Sequence, residues 1–233
     1  MPKVHIKGVI SSNDNKEVYE WFGMESTCPN DVTRQLEKAN GQDVEVDINS
    51  PGGDIFSGSE IYTALKDYQG RVNTRIVGVA ASMATVISSA GDTVSMTPTG
   101  SFMIHNASTV TRGDYREMDH TSTMLKTINE SVVSAYVMKT GMSEAELFEM
   151  MDAETWLSAK DALEKGFIDE IMFDNVPRAV ASFNFDNTLP QNVIDKIRNE
   201  IMAKKSNVAV PDEQKLLTEA NFRLLKLKGI NLL

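Results

Sequence analysis

A run of apolar and small residues at 77–90, V-G-V-A-A-S-M-A-T-V-I-S-S-A, limits the folds open to this chain more than any other stretch. The run is too short to span a bilayer, which needs about 20 apolar residues. The branched apolar residues of Arg75–Val79 predict a buried strand, and Met83–Ala90 has the spacing of a helix. Ser82 is therefore expected where a strand turns into a helix.

This position allows two roles for Ser82. The start of a helix offers unpaired backbone N–H groups and the positive end of the helix dipole. Such groups favour a nucleophilic serine, because the negative charge that develops after attack needs N–H donors close by. Serine is also a preferred N-cap, so the stretch taken alone favours a structural role for Ser82.

Strand and helix patterns alternate through the first half of the chain. The predicted strands are 3–10, 43–48 and 75–79, and the predicted helices are 31–39 and 55–68. Asp31 is a possible cap of the first helix, and the residues N-S-P-G-G at 49–53 are typical of a turn. This alternation predicts an α/β fold with a mostly parallel sheet and helices on its faces.

The second half begins with short strands at 93–96 and 101–105, followed by a long helix from 115 to 139 that ends at Gly141. A helix of that length measures about 37 Å, so we expect it to project or to pack on a partner. Short helices after Ser143 and Ser158 precede a strand at 167–172. Two amphipathic stretches then predict a C-terminal helical extension at 176–233, separate from a first domain at 1–175.

The composition argues against several classes of protein. The net charge of −10 disfavours a general nucleic-acid binder, which would carry a basic surface. The single cysteine, Cys28, cannot form an internal disulfide, and no Cys/His cluster has metal-ligand spacing. We therefore expect no metal or other cofactor. The N-terminus has no apolar signal segment, so we expect a cytoplasmic protein without a membrane partner.

A hydrolytic serine needs a base, and the chain has three histidines. His5 lies in the first predicted strand beside lysines, and His120 lies in the long charged helix, where solvent exposure is expected. His105 ends a predicted strand before a polar loop, at the kind of sheet edge where sites of α/β proteins collect. His105 is thus the preferred base, and a histidine bonded to backbone is the alternative. Acidic residues are too numerous for spacing to select a third member of a triad.

The double glycine Gly52-Gly53 permits positive φ and the close approach of another chain. The N–H groups of Gly53 and Met83 are candidate oxyanion donors, with an ordinary strand-to-helix turn as the alternative. The pattern is not a phosphate loop, since the lysine and Ser/Thr of that motif are missing. The chain also lacks the G-x-S-x-G elbow of many lipases and esterases.

Four ordered motifs together resemble the proteolytic subunits of Clp protease (ClpP). They are I-N-S-P-G-G at 48–53, G-V-A-A-S-M-A at 78–84, M-I-H at 103–105 and E-T-W-L-S-A at 154–159. The resemblance covers roughly residues 4–174. It is greatest to the ClpP-like head-maturation proteases of phages and prophages, because of Asp54, Ala84, the E-T-W sequence and the lack of a longer N-terminal segment.

The resemblance implies a serine endopeptidase with Ser82 as nucleophile, His105 as general base, and Gly53 and Met83 as oxyanion donors. The acid of the family falls on Glu154, where housekeeping subunits have aspartate. Asp152 is the alternative acid.

The resemblance also implies a ClpP/crotonase-like fold of stacked β-α-β units. The helix at 115–139 would be a protruding handle through which homo-oligomeric rings meet. Polypeptides would be the substrates: capsid or scaffold proteins in the host cytoplasm or prohead, or the proteins that a housekeeping subunit receives from a Clp-type ATPase.

Two other functions stay open. Glu154 in place of aspartate is compatible with a catalytically silent ring component. An acyl-CoA enzyme of the crotonase type would share the general fold, but the Ser-Met and Ile-His motifs argue against it.

Overall fold

A mostly parallel sheet is the framework of residues 1–174, the part of the chain that the computed structural model describes. Its strands are β1 (Lys3–Ile10), β2 (Ser26–Thr27), β3 (Val44–Gly53), β4 (Val72–Ala81), β5 (Thr93–Met96), β6 (Ser101–Ile104), β7 (Thr155–Leu157) and β8 (Glu170–Ile171). The helices are α1 (Lys16–Trp21), α2 (Pro29–Ala39), α3 (Ile55–Lys66), α4 (Met83–Ser88), α5 (Tyr115–Thr140), α6 (Glu144–Asp152) and α7 (Ala159–Glu164). The predicted α/β fold is confirmed, whereas the predicted domain boundary at 175 and the helical extension at 176–233 lie outside the described residues.

The strand order is β2-β1-β3-β4-β5-β8, and each of these neighbouring pairs is parallel. The long strand β4 pairs with two successive strands along one edge: residues 73–76 pair with β5, and residues 79–81 pair with β6. Strand β7 joins the sheet through β6 in the antiparallel sense. Because β1, β3, β4 and β6 run in the same direction, their C-terminal ends meet at one edge, where sites of α/β proteins form.

Buried apolar side chains of the central strands pack under the helices. Val46 and Ile48 of β3 and Ile76 of β4 are completely buried. Helix α4 is buried over its whole length, and its two polar side chains, Thr85 and Ser88, donate their hydroxyl protons to carbonyl oxygens of the same turn. The buried α4 fixes the residue that precedes it, Ser82, at the edge of the sheet.

The predicted turn at 49–53 is wrong, because β3 continues through it to Gly53. Val9 pairs with Gly52, and Ile10 pairs with Gly53. A Cβ atom at Gly53 would lie 2.2 Å from the carbonyl oxygen of Ile10. The missing side chain therefore allows the ladder with β1 to extend where a turn is the usual outcome.

Three other local predictions need correction. The helix predicted at 31–39 begins at Pro29 with Cys28 as its N-cap. Asp31 is the third helical residue, and its carboxylate accepts a hydrogen bond from the Cys28 N–H at 3.2 Å. Between residues 16 and 27, where the sequence predicts no element, the structure has α1 and β2. Helix α1 buries none of its residues, so it carries no apolar periodicity. The strand predicted at 167–172 is reduced to β8.

Helix α5 runs for 26 residues and leaves most of its surface exposed. Its buried residues are Thr121, Val133, Ala135 and Tyr136, so the packed part is close to the C-terminal end. Gly141 ends the helix in the left-handed conformation (φ 70°), as the sequence predicts. Neither α5 nor any other helix among residues 1–174 is both long and apolar enough to cross a membrane.

Candidate active site

Ser82 connects β4 to α4 in an uncommon backbone conformation, with φ 55° and ψ −130°. A non-glycine residue in such a region costs on the order of 1–3 kcal/mol and persists only where neighbouring contacts impose it. One such contact is the Ser82 N–H, which donates to the carbonyl oxygen of Met103 on β6 at 2.9 Å. The sharp turn between β4 and the buried α4 holds the hydroxyl at the sheet edge.

Gly52 packs directly against this turn. A Cβ atom at Gly52 would lie 2.6 Å from the Ala81 carbonyl oxygen, 2.7 Å from Ser82 Cβ and 3.0 Å from the Met83 amide nitrogen. Its φ of 89° is a second reason for glycine at this position. Of the two glycines, Gly52 is thus the one that contacts Ser82. Gly53 follows it at the exposed end of β3.

His105 comes directly after β6, and its Nε2 atom lies 2.8 Å from Ser82 Oγ. Both residues are half-buried, so the pair can be reached from solvent. For the hydroxyl to donate to Nε2, the proton of the neutral imidazole must reside on Nδ1. The other two histidines, His5 and His120, are exposed and lie on β1 and α5.

Glu154 lies in the turn between α6 and β7, with an exposed side chain and φ 47°. The antiparallel ladder pairs Ile104 with Thr155, so one more step in the same register would set Glu154 opposite His105. Directly opposed residues in such a ladder have Cβ atoms about 5 Å apart. Within residues 1–174, however, no hydrogen bond joins the Glu154 carboxylate to the imidazole.

Asp152, the last residue of α6, bonds a different partner. Its Oδ1 atom accepts a hydrogen bond at 2.7 Å from Nδ2 of Asn106, the residue after His105. Asn106 also accepts a hydrogen bond at 2.9 Å from Nδ2 of Asn129 on α5. Sequence reasoning missed both asparagines, since neither belongs to a motif and the contacts link segments far apart in the chain.

A buried pair of hydroxyls lies behind Ser82. Tyr136 of α5 lies 2.6 Å (Oη to Oγ1) from Thr85, and Thr85 in turn donates to the carbonyl oxygen of Ser82. Burial raises the pKa of Tyr136 well above its usual range, although the hydrogen bond with Thr85 partly opposes the shift. The phenol thus keeps its proton and continues to hold the first turn of α4.

The arrangement as a whole offers a hydroxyl, an imidazole within hydrogen-bond distance of it, and backbone amides nearby, which are the groups that acyl transfer requires. Among the described residues, no group of three or more His, Cys, Asp or Glu side chains is placed to hold a metal ion.

Comparison with known proteins identifies similar sequences. The Clp protease family model matches residues 23–175. The chain is 34% identical over 161 residues to the ATP-dependent Clp protease proteolytic subunit of Streptococcus pneumoniae strain 70585, an alignment that covers 65% of this chain and 82% of the relative. The same subunits from strains Hungary19A-6 and R6 give the same identity and coverage.

Proposed function

The chain belongs to the Clp protease family of serine peptidases, and on this basis we propose that it hydrolyses peptide bonds through an acyl-enzyme formed on Ser82. His105 is the general base in this proposal. The observation that carries it is the 2.8 Å separation of His105 Nε2 and Ser82 Oγ. This distance lies within the range needed for direct proton transfer between a nucleophile and its base.

In the first half of the reaction, Ser82 Oγ attacks the carbonyl carbon of the substrate while its proton passes to His105 Nε2. The tetrahedral intermediate collapses as the C–N bond breaks, and His105 gives the proton to the leaving amine. In the second half, water attacks the carbonyl carbon of the acyl-enzyme while His105 takes a proton from it. The ester C–O bond to Ser82 then breaks as His105 returns that proton to Ser82 Oγ. General base catalysis of this kind contributes about 10²–10⁴-fold to the rate.

Met83 and Gly53 are the proposed oxyanion donors. Met83 is the first residue of α4, and the first N–H groups of a helix lack intrahelical partners. Gly53 follows Gly52, whose missing side chain leaves the backbone of β3 in contact with Ser82. Loss of one such donor costs about 3 kcal/mol of transition-state stabilisation in serine proteases.

Glu154 is the proposed third member of the triad, and Asp152 is the alternative. The register of β6 and β7 supports Glu154, because its continuation sets this residue opposite His105. A carboxylate there would accept the Nδ1–H of the imidazole, fix the tautomer and stabilise the cation that forms during catalysis.

For the biological role we favour a head-maturation protease of a phage or prophage that cleaves capsid or scaffold proteins and works as homo-oligomeric rings. Asp54 and the sequence at 154–156 support this role by their resemblance to that branch. In this chain Asp54 caps α3 by accepting the Ser57 N–H at 2.8 Å. The exposed length of α5 suits contact between copies. The alternative is a subunit that works with a Clp-type ATPase, which is consistent with the name of the Streptococcus relatives, ATP-dependent Clp protease proteolytic subunit.

The catalytic assignment is tested with the full chain, a fluorophosphonate probe and an unstructured polypeptide substrate. Wild-type protein should label on Ser82 and cleave the substrate, and Ser82→Ala should lose both by at least about 10⁴-fold. The control is Ser59→Ala, which removes an exposed serine of α3 and should leave both unchanged. Labelling or turnover that survives in Ser82→Ala would overturn the assignment.

The two biological roles are separated by adding or omitting an ATPase. A head-maturation protease should cleave assembled capsid precursor without nucleotide, whereas a subunit of an ATP-dependent protease should degrade folded substrate only when a Clp-type ATPase and ATP are present. Dependence of all protein cleavage on ATP would reject the phage role.

A further inference from the structure

The two residues that follow His105 are held by side chains from two helices. Asn106 donates from Nδ2 to Asp152 Oδ1 at 2.7 Å and accepts at Oδ1 from Asn129 Nδ2 at 2.9 Å. The other end of the Asn129 amide, Oδ1, accepts the N–H of Ala107 at 2.8 Å. We call Asp152, Asn106 and Asn129 the polar clamp.

The clamp acts where the backbone has little other support. Strand β6 ends at Ile104, and residues 105–112 have no regular secondary structure. Among the described residues, 106–110 make no backbone–backbone hydrogen bond. The hydrogen bonds of the clamp therefore hold the chain immediately after the imidazole, and one of them is charge-assisted because it ends on a carboxylate.

We propose that the polar clamp positions His105 against Ser82, and that Asp152 acts through Asn106 rather than as the direct partner of the imidazole. This inference rests on the proposed role of His105 as the general base. Ser82 needs no comparable device, since β4, β6 and α4 all hold it. His105 lies one residue beyond the end of β6, and a misplacement of about 1 Å at a catalytic group can reduce the rate about 10²-fold.

The hydrogen bonds of Asp152 distinguish two roles for its carboxylate, direct contact with the imidazole and positioning through Asn106. A carboxylate that orients an imidazole accepts the Nδ1–H directly. In the described part of the chain, Asp152 bonds the side chain of Asn106, and no hydrogen bond joins it to His105. Asp152 is thus a positioning residue, and removing Asn106 should remove whatever Asp152 contributes.

A double-mutant cycle measures this dependence. Asn106→Ala and Asp152→Ala should each reduce kcat, and the rate of labelling by the fluorophosphonate probe, by about 10–100-fold, with little change in KM. Combined, they should be no worse than the more severe single change, because both act on one contact. Glu149→Ala, an exposed carboxylate on the same helix, is the matched control and should have no effect. Losses that multiply in the double variant would overturn the proposal.

A charge swap distinguishes positioning from a general structural role. Asn106→Asp alone sets two carboxylates against each other and should inactivate the protein. Adding Asp152→Asn supplies a new amide donor to the carboxylate at 106, so activity should return to within about threefold of wild type. Failure of the swap to restore activity, with a thermal midpoint like that of wild type, would reject the clamp.

Asn129→Ser tests the other half of the clamp and leaves the exposed surface of α5 intact. It should reduce the labelling rate about 10-fold, the lower end of the range expected for Asn106→Ala. An unchanged labelling rate in this variant would overturn the part assigned to α5. The cycle also separates this proposal from the catalytic one. If wild-type Ser82 does not label, the proposed function fails, whereas normal labelling with additive losses at 106 and 152 rejects the clamp alone.

Discussion

The Ser82 side and the Glu154 side of the candidate site are built differently. Ser82 and Glu154 both have positive φ, 55° and 47°, which few non-glycine residues adopt. Ser82 is held by a hydrogen bond to Met103, by contact with Gly52 and by the fully buried α4 behind it. Glu154 is exposed in a turn, and no hydrogen bond to the imidazole fixes its side chain within residues 1–174.

The two candidate catalytic residues are therefore held in place in two different ways. The conformation of Ser82 follows from long-range packing, so a change to its neighbours should alter stability and activity together. The conformation of Glu154 belongs to an exposed turn, and its backbone strain does not serve to hold a contact. A change at Glu154 should therefore alter stability and activity independently.

Gly52→Ala should have the largest effect. The new Cβ would lie 2.6 Å from the Ala81 carbonyl oxygen and 2.7 Å from Ser82 Cβ, so the β4–α4 turn must move. We expect a loss of about 3 kcal/mol in the free energy of unfolding and a labelling rate at least about 10³-fold lower. Urea unfolding and fluorophosphonate labelling measure the two.

Gly41→Ala is the matched control for this change. Gly41 also has positive φ (76°), but a Cβ there meets no atom within 4 Å. It should therefore show only the conformational cost, about 1 kcal/mol, with normal labelling. Equal effects of the two alanines would mean that the contact with Ser82 has no importance.

Changes at Glu154 should separate activity from stability. Glu154→Gln and Glu154→Gly should both lower kcat by about 10³-fold if this carboxylate stabilises the imidazolium during turnover. The glycine variant should at the same time be more stable by about 0.5–1 kcal/mol, because φ 47° carries no penalty for glycine.

Asn40→Gly offers the comparison for the stability gain. Asn40 ends α2 at φ 49°, remote from the site in sequence and in fold, so it should gain stability without a loss of kcat. Full activity in Glu154→Gln would assign the third catalytic role to another group.

Much of the fold could be predicted because its signals are local. The apolar alternation of β1, the apolar run that became β4 and α4, and the caps at Ser143 and Ser158 all depend on neighbours in sequence. The turn predicted at 49–53 was wrong for the opposite reason. Its glycines are explained by pairing with Val9 and Ile10, some forty residues away, and no local pattern records that contact.

The residues of the candidate site show the same distinction between local and long-range signals. Ser82 and His105 each follow a strand, and the chain has only three histidines, so elimination reaches the pair whose atoms lie 2.8 Å apart. The 33 acidic residues permit no such elimination. Gly52, Asn106 and Asn129 act through contacts between distant segments, so composition and spacing give no sign of them.

Tyr136→Phe should have the smallest effect and tests the hydrogen bonds behind Ser82. Near pH 8 the variant should lose about 1 kcal/mol of unfolding free energy, the usual value of one hydrogen bond, because the phenol no longer bonds Thr85. Labelling should fall only a few-fold, since Thr85 still donates to the Ser82 carbonyl oxygen.

The difference between wild type and Tyr136→Phe should also depend on pH, with a sign set by the raised pKa of the buried phenol. Above about pH 10 the unfolded chain loses the Tyr136 proton while the folded protein retains it. Since the unfolded state then binds fewer protons, the stability of wild type falls as pH rises, by up to about 1.4 kcal/mol per pH unit. The phenylalanine variant lacks this contribution, so its deficit in unfolding free energy should disappear between about pH 10 and 11.

Tyr115→Phe, at an exposed tyrosine of the same helix, is the control and should show no such change. A deficit at Tyr136→Phe that stayed constant from pH 8 to 11 would mean that the folded protein ionises this phenol as readily as the unfolded chain does.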